Sequence, residues 1–120
     1  MPISYSIDSS QQLVSAFASG VLNVKMLSSF LTDVRKDPEF NPDYRLLLDL
    51  STVAEFDLTP ADLQRVSDMP AFSARSRTAI VAISPLAYGL AREYEGSRGA
   101  DRGELRVFRW RGDALSWVAE

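Results

Sequence analysis

Two apolar runs, each leading into a hydroxyl-proline pair and then into helical spacing, constrain this chain more than any other feature. The first is YRLLLDL at residues 44–50, with Thr59-Pro60 following a short polar stretch. The second is TAIVAI at residues 78–83, with Ser84-Pro85 directly after it. A continuous apolar run of this length suits a strand buried on both faces. A hydroxyl residue before proline suits a helix start. Its oxygen accepts an unpaired amide of the first turn, and proline lacks the N–H that would otherwise go without a partner. Asp62 stands where a capping-box acid would, and Leu58 and Leu63 are spaced to close an apolar staple over that turn. Strand, then helix, then strand predicts parallel pairing through right-handed crossovers.

The flanking segments complete the order. Ile3, Tyr5 and Ile7 alternate with Ser4 and Ser6, the period of a half-buried strand. Residues 8–12 are turn chemistry, and residues 13–20 read as a second strand, antiparallel to the first at a sheet edge. Met26, Leu27, Phe30, Leu31 and Val34 then mark a helix, with Asn23 as its N-cap and Pro38 beyond its end. After Ser84, the inward helix face is Leu86, Ala87, Leu90, Ala91 and Tyr94, with Gly96 as the stop. Residues 97–103 form a polar loop expected to be the most mobile segment. A final strand follows, with Leu105 and Val107 on one face and Phe108 and Trp110 on the other. A last helix is expected to bury Leu115 and Val118, with Trp117 near its rim. Periodicity leaves open whether Phe72 is exposed or tucked inside. The fold class is α/β: one domain over residues 1–120, ordered β-β-α-β-α-β-α-β-α, with a mostly parallel five-stranded sheet and an antiparallel edge strand.

Composition narrows the chemistry. The 120 residues include no histidine and no cysteine. Thiolate zinc sites, cysteine nucleophiles and Ser-His-Asp triads are therefore excluded, and the commonest general base is missing. Hydrophobic residues make up 46%, enough for a core without staples. No apolar run reaches the length of a membrane helix, and residues 1–8 have no signal-peptide pattern, so a cytoplasmic protein without membrane insertion is expected. The net charge of −3 argues against nucleic acid as a partner. The arginines near the end, interleaved with aromatics in RVFRWRG, are expected to pair with Asp101, Glu104 and Asp113 on a solvated edge.

Residues 46–63, LLLDLSTVAEFDLTPADL, and 79–90, AIVAISPLAYGL, resemble the STAS superfamily, the anti-sigma-factor-antagonist or SpoIIAA-like fold. The resemblance spans nearly the whole chain. It is closest to the small bacterial single-domain SpoIIAA-like proteins of undefined function, which end in a helix similar to DALSWVAE at 113–120. In the antagonists a serine at the helix start is phosphorylated by a partner kinase. By that resemblance Asp49, Leu50 and Ser51 match the strand end and Asp57 the motif aspartate. The phosphorylated serine falls on Leu58, which has no hydroxyl, the second serine on Thr59 and the glycine on Pro60.

The residues and the resemblance together imply a non-catalytic regulatory or protein-interaction module. It would act through loop 51–59 and the helix starting at Thr59, with Ser51, Asp57, Thr59, Tyr88 and Arg92 as the interaction or regulatory residues. Tyr88 and Arg92, four apart on one helix, are placed to stack or to meet a partner together. Asp49, Glu55 and Asp57 would form a loose acidic group near the strand ends. No cofactor or metal is expected. The partner would be another protein or a second copy of the chain. The alternative is a carrier or sensor of a small apolar ligand, lipid-like, in a pocket between a helix and the sheet.

Overall fold

The computed structural model describes residues 3–98 and 103–120. Its elements run β1 (Ile3–Asp8), β2 (Leu13–Asn23), α1 (Val24–Lys36), β3 (Arg45–Asp57), α2 (Pro60–Asp68), β4 (Arg77–Val81), α3 (Pro85–Ser97), β5 (Glu104–Phe108) and α4 (Arg111–Val118). The sheet order is β1-β2-β3-β4-β5. β1 pairs antiparallel with β2, and every later pair is parallel. Residues 99–102, the heart of the polar loop expected to be mobile, lie outside the described residues.

Strand order and handedness place the helices. Three crossovers step the same way across the sheet, and right-handed crossovers of one direction put their helices on one face. The core divides accordingly. Leu27, Phe30 and Val34 of α1, Val66 of α2, and Ala87 and Ala91 of α3 pack with Leu46, Leu48, Leu50 and Ile80 on one side. On the other, Leu47, Ala79 and Val81 pack with Ala114, Trp117 and Val118 of α4, flanked by Leu13 and Phe108.

α4 is docked at both ends by charge. Its N-cap, Trp110, makes no side-chain capping bond. Arg111 instead reaches the buried Asp49, Nη1 to Oδ2 at 2.9 Å. At the other end Arg45 and Arg77 donate to the carbonyls of Val118 and Trp117, at 2.6 and 3.1 Å. Cations there complement the helix dipole.

β3 is much longer than its apolar run. Register shifts fall between Phe17 and Ser19 and between Gly20 and Val21 of β2, and at each one β3 carries one extra residue. Each bulge resets the alternation and sharpens the twist. The residues of β3 facing the three helices therefore run Leu46, Leu48, Leu50, then Val53 and Phe56. Among the described residues β4 pairs with β3 from Leu46 to Asp49 and β1 pairs with β2 as far as Ala18, so from Ser19 and Thr52 onward β2 and β3 continue as a two-stranded parallel ribbon ending at Asn23 opposite Asp57. Gly20 sits at the second bulge with φ +67°, a conformation glycine adopts freely.

Several sequence expectations are corrected. The stretch 51–57 is strand, so the expected 51–59 loop shrinks to Leu58 and Thr59. The second strand continues past Gly20 to Asn23. Gly96 lies within α3, whose C-cap is Arg98. Leu86 is 63% exposed, off the inward face of α3. In α4 the roles reverse, with Trp117 buried and Leu115 on the surface. Trp110 stands past the end of β5 and is exposed. Phe72 is half-buried and meets Phe40 edge to face at 5.2 Å.

Candidate functional site

The β3–α2 connection is fixed by its own chemistry. Thr59 Oγ1 accepts the Asp62 amide at 3.1 Å, and Asp62 Oδ2 accepts the Thr59 amide at 3.0 Å. Pro60 follows in the first helical turn. Leu58 is half-buried against the core and Leu63 is buried, where a staple over the first turn puts them. The Thr59 hydroxyl is thus engaged by main chain at the helix start.

The other sequence candidates do not gather around it. Ser51 is exposed, and its amide donates to Asp49 Oδ1 at 2.9 Å. Asp57 is exposed at the tip of the ribbon and Glu55 faces solvent beside it. The expected acidic group is corrected, because Asp49 is buried on the α4 side and engaged by Arg111 while the other two carboxylates lie on the ribbon. Among the described residues no three acidic side chains come together as metal ligands would.

Tyr88 and Arg92 share α3 without stacking. The Tyr88 ring is covered by the Arg109 guanidinium at 4.6 Å, and Arg92 pairs with Glu95, Nε to Oε1 at 3.0 Å. The arginines of the last strand are not paired with Glu104 and Asp113 among the described residues. They lie on rings instead. Arg106 of β5 stands 5.2 Å from Trp117, as does Arg77 of β4, and Arg111 of α4 stands 4.6 Å from Phe17. Flat guanidinium groups over aromatic faces stabilise by cation–π attraction and stacking.

What the fold does build is an apolar cavity of about 90 Å³ between the sheet and its three-helix face. Leu22 of β2 and Leu48 and Leu50 of β3 make its floor, Leu63 of α2 lines a wall, and Phe56 and Leu58 border it from the ribbon side. Both bulges of β3 contribute. A straight strand with strict alternation would turn Val53 away from the face that holds Leu50; the first bulge brings Val53 to that face, and the second keeps Phe56 there. A smaller space of about 30 Å³ adjoins it and shares Phe72, Tyr94 and Arg98. Arg98 lies 5.8 Å from the ring of Tyr94.

The lining was missed as a site because each residue, alone, reads as ordinary core. One signal was present. Leu50, Val53 and Phe56 recur at intervals of three in a stretch rich in β-formers, the pattern that bulges produce in a strand. Among the described residues, no helix is long and apolar enough to cross a membrane.

No family model and no curated protein matches this sequence. Among solved structures, the chain is similar to an uncharacterized protein of the DUF3478 family with a SpoIIAA-like fold, from Shewanella loihica PV-4. The two share 22% identity with a TM-score of 0.59, over 97% of this chain and 93% of that one. With its antiparallel edge pair, parallel sheet, three helices on one face and one on the other, this chain has the SpoIIAA-like fold.

Proposed function

We propose that this chain is a non-catalytic binding module, a carrier or sensor of a small apolar ligand held in the cavity between the sheet and its three-helix face. The observation that carries the reading is the cavity itself, lined by leucine and phenylalanine and bordered by Phe56 and Leu58 of the segment leading to α2. Protein interiors are close-packed, with few voids larger than a water molecule, so an apolar space of about 90 Å³ is a natural place for an apolar occupant. A chain without histidine or cysteine suits binding better than catalysis, and its lack of cysteine suits the cytoplasm.

The regulatory half of the reading rests on position. A ligand touching Phe56 and Leu58 touches the ribbon, so occupancy is coupled to the segment where the family resemblance puts partner recognition. Native mass spectrometry of freshly purified protein, compared with a Leu50→Phe variant that fills the cavity, tests the site. A bound mass present on the wild type and missing from the variant supports it. Identical apo masses, with no thermal stabilisation of either protein by small hydrocarbons, count against it.

A protein-interaction role has its own supporting observation. From Ser51 to Asp57, β3 pairs only with β2 among the described residues, leaving one edge of backbone donors and acceptors open. An extended segment of another protein, or of a second copy, could add there as a strand. Exposed Ser51 and Asp57 would flank that partner, and Thr59 would hold the base of the ribbon. Tyr88 and Arg92 on α3 would belong to a separate contact. Light scattering separates self-association from capture of another protein.

A further inference from the structure

The cavity wall contributed by the strands is leucine, phenylalanine and isoleucine, except at Thr78 of β4. Thr78 stands between Leu46 and Leu105 in the ladder, on the face toward the three helices. It is 5% exposed, and among the described residues no hydrogen bond involves its hydroxyl. Every side-chain polar atom that is sealed from solvent has a partner among those residues. An unbonded Thr78 hydroxyl is therefore not sealed, and the open space beside it is the cavity it lines. Water reaches it there, and a ligand that fills the space must replace that partner or leave the hydroxyl buried and unpaired.

From this the geometry points to an occupant that is apolar with one hydroxyl or carbonyl oxygen, bonded to Thr78. It would be a small alcohol or ketone, not a pure hydrocarbon. This deepens the ligand-binding reading and rests on it. The size follows from the volume. A cavity that seats benzene measures about 150 Å³. At about 90 Å³ this one takes a smaller body, on the order of four or five carbon and oxygen atoms. Specificity of this kind is sharp because a ligand lacking the oxygen leaves the site's own polar group unpaired.

The test is an NMR titration of the full chain with 1-butanol and with 1-chlorobutane, which has the same length but no hydroxyl. Wild type is compared with Thr78→Val and Thr78→Ser. Valine matches threonine in shape and removes a hydroxyl that has no partner, so the fold holds. The expected result is that Thr78→Val weakens butanol binding about five- to tenfold while chlorobutane changes less than twofold. Thr78→Ser should keep the preference for butanol. If both probes bind and Thr78→Val shifts them equally or not at all, the Thr78 inference fails while the cavity reading stands. If neither probe binds the wild type saturably, the cavity reading itself fails, and this inference with it.

Discussion

Arg111 and Asp49 tie the last helix to the centre of the sheet, Nη1 to Oδ2 at 2.9 Å, with the aspartate side chain 5% exposed and the arginine 37%. The pair sits where α4 has no side-chain cap of its own, so it replaces the usual N-terminal device. Removing one partner leaves the other's charge in a poor environment. Arg111→Met is expected to cost about 2–3 kcal/mol, less than a fully buried pair because the arginine is partly solvated. Adding Asp49→Asn should recover part of that loss. Urea unfolding of the single and double variants measures both, and additive losses would contradict the pairing.

The α2 start gives a second prediction. Thr59→Ala removes one half of a capping box and should cost about 1 kcal/mol. Thr59→Asp should be near neutral, because aspartate caps well and suits the helix dipole. A large loss in the aspartate variant would show that the hydroxyl has some other role.

Two glycines with positive φ should respond differently. At Gly103, φ is +89°, and an added Cβ would collide with the Ser76 carbonyl oxygen. Gly103→Ala is expected to cost about 2–3 kcal/mol, combining strain and clash. At Gly20, φ is +67° and the space around a Cβ is open, so Gly20→Ala should cost about 1 kcal/mol, from strain alone. Hydrogen exchange should confine the Gly20 effect to the ribbon.

Tyr5 predicts an alkaline limit. Its hydroxyl donates to Asp37 Oδ2 at 3.1 Å. Burial, then that bond and the charges of Asp37 and Asp33, push the phenol above its ordinary value. The neutral form is favoured by folding, so its contribution is complete below the unfolded value near 10 and is lost as pH rises through the folded one. Denaturation midpoints should fall above about pH 10, and Tyr5→Phe should flatten that fall.

The sequence spoke clearly wherever local chemistry decides structure. Asn23, Thr59 and Ser84 each cap a helix by accepting the amide three residues on. The apolar runs at 44–50 and 78–83 hold the buried central strands, although β4 ends at Val81 and Ile83 is exposed. What stayed hidden was set by tertiary contact. The two bulges in β3 break the period-two signal, so 51–57 lacks the pattern of a strand. In α4, Leu115 and Trp117 exchange roles because Arg77, Arg106 and Phe108 give the indole a stacked site that an eight-residue helix cannot announce. Leu86 follows the same rule: it lies in the first turn of α3 beside Ala87, and the core receives Ala87 and Ala91 instead.

The cavity between the sheet and its three-helix face is tested most directly by protein-observed NMR with a small apolar probe at rising concentration. Saturable shifts are expected at Leu48, Leu50, Phe56 and Leu58, with the surface residues Leu86 and Leu115 unmoved. Shifts that never saturate, or that appear at Leu86 and Leu115 while the cavity leucines stay still, would contradict a ligand site between the sheet and its three-helix face.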